Sequence, residues 1–329
     1  MIQRLKGKKA WAILTGFCII PWMFSVNTVW SQEKGYPSKP IEAVINAAPG
    51  GSSDISTRII TEELSRRLKV PFVVINHEGA GGMTGAVKVL KAKPDGYTLL
   101  STGSSSMTCV PLQSPDPPFD TFKDFIPLCC YGSTPVVFVV HKSSPFKTLE
   151  ELIRFAKGNP GKLTCGLPNI GREPHLDLEL LKKAAAVNIK VIPYKGTGDV
   201  IAALLGKHID MVAQTYIASI PYLKSGETRA MAITQKVANS GIPTTAETGY
   251  PHVNISVLLG FFVSAKTPKT TYEKLIPHLE GVVKDPDIAK KLETSGVLPE
   301  YKSPSDFTAE LKDNWDSISK IVEEIGLKK

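Results

Sequence analysis

The sequence predicts an α/β fold of layered, mostly parallel sheet, and three observations predict it. Short apolar, β-branched runs alternate with stretches whose apolar residues recur at helical spacing along most of the chain. The runs end in segments rich in Gly, Ser and Pro, where strands give way to turns. Apolar residues make up 42% of the 329 and charged ones 21%, enough to build sheets covered by helices and too apolar for a disordered or fibrous chain. That length corresponds to about two domains of ordinary size.

The chain opens with an export pattern. Arg4, Lys6, Lys8 and Lys9 precede an apolar stretch over residues 10–29, broken by Pro21, and polar Ser31-Gln32-Glu33 follows. This is the order of a secretory signal peptide, expected over residues 1–31, with Val29-Trp30-Ser31 offering a small residue before the cut. An uncleaved anchor is the rival, because the stretch is close to the ~20 residues that span a bilayer; Pro21 and Asn27 disfavour it. Cys18 lacks the small residue directly before it that a lipoprotein site needs. The formal net charge of +8 falls to +4 once the four leading cations are set aside. No Lys/Arg-rich run follows, so nucleic acid is excluded as a partner.

Past residue 40 the elements follow in order. Residues 41–48 read as a buried strand turning at Pro49-Gly50-Gly51, and Ser52, Ser53 and Asp54 are N-cap residue types opening a helix through Ile55, Ile59, Ile60, Leu64 and Leu68. Residues 72–76 are the next strand, 84–91 a helix, and 97–102 a strand ending in Gly103-Ser104-Ser105-Ser106. Residues 136–140 are strongly β-branched. Thr148-Leu149-Glu150-Glu151 fits a capping box whose helix stops at Gly158-Asn159-Pro160. Strands over 162–166, 190–194, 209–214 and 230–234 alternate with helices over 174–186 and 199–206. An extended stretch over 254–263 precedes a helical C-terminus of about sixty residues.

Open parallel sheets bind ligands at the carboxyl ends of their strands. The loop Pro49-Gly50-Gly51-Ser52-Ser53-Asp54 brings backbone close to a ligand and then presents helix N-terminal amides, which suit a carboxylate. The same residues also make a plain tight turn with Asp54 as a first-turn acid. Ser104–Ser106 and Asn169-Ile170-Gly171-Arg172 are similar polar strand exits. Of the later cysteines, Cys109, Cys129, Cys130 and Cys165 lack metal-type spacing; burial as small apolar residues is expected, and an oxidising compartment permits a bridge such as Cys109–Cys129.

These loops carry a resemblance. Tyr36-Pro37-Ser38-Lys39-Pro40-Ile41, Pro49–Asp54, Glu78-Gly79-Ala80-Gly81-Gly82 and Lys93-Pro94-Asp95-Gly96-Tyr97-Thr98-Leu99-Leu100 resemble, in order and spacing, the tripartite tricarboxylate transporter substrate-binding (Bug) family. Gly171 with His175-Leu176, Pro193-Tyr194-Lys195-Gly196, Gly206-Lys207-His208-Ile209-Asp210, residues 243–251 and Thr267-Pro268 extend the similarity over about residues 36–325.

The resemblance implies a two-lobed periplasmic binding protein of the Venus-flytrap type (type II). Lobe 1 would comprise residues 32–134 plus 256–329 and lobe 2 residues 135–255, with hinge crossovers near 133–138 and 254–262. It implies a periplasmic receptor, expected to be a monomer, that captures a small organic acid and delivers it to the membrane permease subunits of a tripartite tricarboxylate-type transporter. The ligand-binding set it implies is Pro49, Gly50, Gly51, Ser52, Asp54, Ser104 and Ser105 from one lobe and Asn169, Gly171, Arg172, His175, Lys195 and Gln214 from the other, with no catalytic residue, metal or cofactor.

The chain departs from the family in places. Arg172 stands where Ser is usual, able to make a bidentate carboxylate contact or to pair with Glu173. Leu258 stands where Trp is common, and Gln214 and Tyr216 where acidic or amide residues are frequent. Lys195 contacts an anion or merely lines the crevice.

Other constellations are weaker. Gly79-Ala80-Gly81-Gly82-Met83-Thr84-Gly85 lacks dinucleotide spacing, and His175, Asp177 and Glu179 do not share one helix face. The alternative class is an exported α/β enzyme, a hydrolase or a dehydrogenase-like protein. It would need a nucleophile paired with a base, and no such pair stands out.

Overall fold

A computed structural model describes residues 35–327; the expected signal peptide over residues 1–31 lies outside them. The first strand–helix units are β1 (Ile41–Ile45), α1 (Ser52–Leu68), β2 (Phe72–Asn76), α2 (Met83–Lys91) and β3 (Thr98–Gly103). Short helices α3 (Ser104–Met107), α4 (Cys109–Gln113) and α5 (Thr121–Asp124) lead into a long strand, β4 (Phe125–His141). Then come α6 (Leu149–Gly158), β5 (Thr164–Leu167), α7 (Glu173–Ala185), β6 (Lys190–Pro193), α8 (Thr197–Leu205), β7 (Met211–Thr215), α9 (Tyr216–Lys224) and β8 (Thr228–Ile233). The chain closes with β9 (Ser256–Ser264), α10 (Lys269–Tyr272), α11 (Ile276–Val283), α12 (Pro286–Ser295), β10 (Leu298–Lys302) and α13 (Pro304–Glu324).

The strands run in the order β2-β1-β3-β9-β4-β7-β5-β6, with β10 and β8 also on β4. Parallel pairing joins β1 to β2 and β3, and β5 to β6 and β7, where the sequence alternates strand and helix. The long strands β4 and β9 pair antiparallel. β4 belongs to two sheets: up to Pro135 it pairs with β9, and from Val136 onward with β7 and β8. Each sheet has its own core. Ile41, Ile60, Leu99, Tyr131 and Phe261 are buried together on one, and Val136, Phe138, Leu152, Leu178 and Met211 on the other.

Besides the unexpected short helices α3, α4 and α5, three elements differ from the sequence reading. The half of β4 before residue 136 was not expected as strand, because Pro127, Gly132 and Pro135 interrupt its pattern; the ladder accommodates them with register shifts between Pro127 and Cys129 and between Cys130 and Gly132. β10 interrupts the expected helical C-terminus. α9 carries Pro221 inside it, a helix-breaking signal that hid the helix. At α6 the local chemistry is as read, with Thr148 Oγ1 accepting from the Glu151 amide at 3.2 Å as its cap; α1 instead begins on Gly51 with no side-chain cap, and Ser52, Ser53 and Asp54 lie within its first turn. The four cysteines of the described residues are free and buried. Among the described residues no helix is long and apolar enough to cross a membrane.

Candidate functional site

A cavity of about 730 Å³ lies at the strand exits, within the size range of small-molecule sites. Each parallel strand sends its carboxyl end to it. Residues 46–53 follow β1, Glu78, Gly79, Gly81 and Gly82 follow β2, and Gly103, Ser105 and Ser106 end β3. From the other sheet come Pro168, Asn169, Arg172 and Pro174 after β5, residues 195–198 after β6, and Thr215, Ile217, Ala218, Pro221 and Tyr222 after β7.

Five helices of nine or more residues begin at this wall without a side-chain cap: α1, α2, α7, α8 and α9, whose N-cap residues Gly51, Gly82, Arg172, Gly196 and Thr215 all line the cavity. The helices that do carry side-chain caps, α5, α6, α12 and α13, begin elsewhere, on Asp120, Thr148, Asp285 and Ser303. The first amides of a helix have no partner within it and sit at the positive end of its dipole. Five such ends facing one cavity, two from the first sheet and three from the second, make a strongly anion-favouring environment.

The loop after β1 is held by Asp54. Gly50 takes φ +81°, the left-handed region open to glycine, and its amide donates to Asp54 Oδ2 at 3.0 Å. Asp54 Oδ1 accepts from Arg58 Nε at 2.9 Å and from Asn76 Nδ2 at 3.0 Å. Burial raises the Asp54 pKa, but hydrogen bonds from Arg58, the Gly50 amide and Asn76 outweigh it and hold the carboxyl below its usual range. Asp54 is therefore buried beneath the loop rather than on the cavity wall, whereas Pro49, Gly50, Gly51 and Ser52 line it.

The glycine turn after β2 packs against that loop and the β3 exit. Asn46 Nδ2 donates to the Gly82 carbonyl at 3.1 Å, and the Gly81 carbonyl accepts from Ser106 Oγ at 3.0 Å. A Cβ on Gly82 would run into Ser106 Oγ and come within 2.7 Å of Asn46 Nδ2, so the turn closes only with glycine.

Arg172 reaches across and donates through Nη2 to the same Gly81 carbonyl at 2.9 Å. Neither Arg172 nor Lys195 forms an ion pair among the described residues, so Arg172 is not neutralised by the adjacent Glu173. Both cations line the cavity with Asn169, and Glu78 is the acid there.

Four more expected residues stand behind the wall. Ser104 Oγ donates to Glu173 Oε1 at 2.8 Å and accepts from the Leu258 amide at 3.0 Å. Ser105, which does line the cavity, donates to Glu173 Oε2. The Gly171 amide donates to His175 Nδ1 at 3.0 Å and its carbonyl accepts from Gln113 Nε2 at 2.6 Å, so His175 braces the Gly171 turn. Gln214 is buried, donating to Ser219 Oγ at 2.7 Å. Ser104, Gly171, His175 and Gln214 are not on the lining.

Among the described residues no histidine or cysteine lines the cavity, and burial pushes the Cys130 and Cys165 thiols up to about 12. Among the described residues no group of three His, Cys, Asp or Glu is placed to hold a metal. His175 is engaged with Gly171, and Asp177 Oδ1 accepts from the Ile255 amide at 3.0 Å.

Sequence reasoning missed Glu173, Thr197, Gly198 and the α9 start at Thr215. Gly196-Thr197-Gly198 after β6 carried the same signal as Pro49–Asp54, a glycine-bearing exit running into a helix. Glu173 carried none, because its serine partners lie 69 and 68 positions away.

Residues 56–327 match the family described as the tripartite tricarboxylate transporter family receptor. BugT of Bordetella pertussis is 30% identical over 301 residues, covering 89% of this chain and 91% of that protein. A solved periplasmic transporter protein is 35% identical with a TM-score of 0.81, covering 89% of this chain and 99% of its own. Rpa4515 of R. palustris, solved with adipate, is 26% identical with a TM-score of 0.82, covering 88% and 98%. The α/β arrangement of two sheets joined through β4 is the fold of periplasmic binding proteins of the flytrap type, and the chain belongs to the tripartite tricarboxylate transporter receptor family.

Proposed function

We propose that this chain captures a small organic carboxylate in the cavity between its lobes and hands it to the permease subunits of a tripartite tricarboxylate-type transporter. The observation that carries the reading is the set of five uncapped helix starts, with Arg172 and Lys195, directed at one cavity from both sheets. A similar protein holds adipate. Pro49, Gly50, Gly51, Ser52, Ser105, Asn169, Arg172 and Lys195 contact the ligand directly, while Asp54, Ser104, Gly171, His175 and Gln214 hold the contacting loops in place. The chain works as a monomer in the periplasm, exported by residues 1–31, and is a receptor rather than an enzyme.

The hinge of this reading is the switch of β4 between sheets at Pro135–Val136 together with the return crossover near 254–262, dividing 32–134 plus 256–329 from 135–255. The ligand stabilises closure by the contacts it gains only in the closed state.

A thermal-shift screen over mono-, di- and tricarboxylates, aromatic acids and amino acids tests the assignment. The right acid at a hundredfold excess over its Kd adds about 2.7 kcal/mol of stability. A panel in which no acid moves the midpoint overturns the reading.

A further inference from the structure

We propose that Glu173 fills, from within the chain, a carboxylate position beside the ligand cavity, so that this receptor prefers a monocarboxylate to the dicarboxylate of equal carbon length. The inference rests on the organic-acid reading above and narrows it. Glu173 is the first residue of α7 and is fully buried, yet it has no ion pair among the described residues. Its two oxygens are held by two hydroxyls from the opposite lobe: Ser104 Oγ at 2.8 Å and Ser105 Oγ. Its chain neighbours Arg172 and Pro174 line the cavity, as does Ser105. The carboxylate therefore sits directly behind the wall those three residues form.

Burying a carboxylate without a cation costs several kcal/mol unless hydrogen bonds compensate, and here two serines supply them. Each hydroxyl has one proton to donate. While both protons point at Glu173, neither serine can donate to a ligand. A second ligand carboxylate approaching this wall also meets a fixed carboxylate, repelled in a medium of low dielectric. Behind it on α7, Asp177 is also fully buried, with Oδ2 unpartnered, and His175 between the two accepts from the Gly171 amide. The uncapped helix starts with Arg172 and Lys195 remain for one ligand carboxylate. Glu173→Ala joins the vacated space to the cavity and frees both hydroxyls; Glu173→Gln leaves the space filled.

Calorimetric titration of the intact protein with hexanoate and adipate, and with butyrate and succinate, reads the preference. The native chain is expected to bind each monoacid about tenfold or more tighter than its diacid. Glu173→Ala should shift the ratio toward the diacid by about tenfold or more, and Glu173→Gln, which removes the charge but keeps the space filled, should shift it the same way by less. Tighter diacid binding by the native chain overturns the inference while leaving the organic-acid reading standing, as does an unchanged ratio in a folded Glu173→Ala. If the alanine variant fails to fold, the native ratio alone decides. Absence of binding by every acid in the wider carboxylate screen instead overturns the organic-acid reading itself.

Discussion

Arg172 and Asp54 show how differently two polar residues of one cavity can act. Arg172 has one guanidinium hydrogen bond, to the Gly81 carbonyl, and no acid partner among the described residues. Hydrogen bonds to charged groups are worth about 1.5–3 kcal/mol, so Arg172→Ala should weaken carboxylate binding by roughly ten- to a hundredfold with little change in melting temperature. Unchanged affinity would assign the side chain only to the Gly81 contact. Asp54→Ala, by contrast, strips the acceptor from Gly50, Arg58 and Asn76 and should cost about 1–3 kcal/mol in urea unfolding as well as affinity. Asp177 gives a pH signature. Burial, with the Glu173 charge adding to it, pushes its pKa well above the usual carboxylate range despite the Ile255 amide. The folded chain then keeps a proton that the unfolded chain releases near pH 4, so this group's contribution to stability falls as pH rises from about 4 toward its folded pKa. Asp177→Asn should remove that downward slope; parallel stability–pH curves for the two proteins would rule it out.

Helix starts are where function and stability can be separated at the scale of elements. Gly51 caps α1 with φ −77° and ψ 172°, a geometry any residue adopts, and a Cβ there meets only the Ala48 carbonyl at 3.5 Å. Gly51→Asp therefore supplies α1 with a side-chain cap and a favourable first charge, changing stability by no more than a few tenths of a kcal/mol. It also occupies the amides and puts a negative charge at the cavity. Carboxylate affinity should drop by about tenfold or more while the melting temperature holds; retained affinity would mean that the α1 amides do not face the ligand. These exits were legible in the sequence because a glycine turn and a helix start are local events, which is how Pro49–Asp54 and Asn169–Arg172 could be picked out before any coordinates. The first half of β4 was not legible: Pro127 and Gly132 are tolerated there only because β9 and β10 pair around them. The same holds for Glu173, whose burial depends on serines that the topology brings from the other lobe.

At the scale of the whole molecule, the start of α7 carries a cluster of hydrogen bonds to elements of the first sheet, beside the apolar packing of Leu176 on Cys109, Ile318 and Val322. Arg172 meets Gly81, Glu173 meets Ser104 and Ser105, and the Gly171 carbonyl accepts from Gln113; the exposed Lys183–Glu324 pair at 2.7 Å adds little. Gln113 tests whether this end acts as the clasp of the closed state, since it does not line the cavity. Removing its amide leaves the Gly171 carbonyl short of a partner only when the lobes are together, a cost of about 1–3 kcal/mol placed on closure. Apparent affinity scales with the fraction of molecules able to close. Gln113→Ala should therefore bind its acid several-fold to about a hundredfold more weakly, and its ligand-free scattering radius should exceed that of the native protein. Saturating acid should bring the radius back, because the ligand's own contacts still favour closure. A variant with native affinity and native radius would show that the α7 end is packing alone, and that closure is governed elsewhere along the β4 crossover.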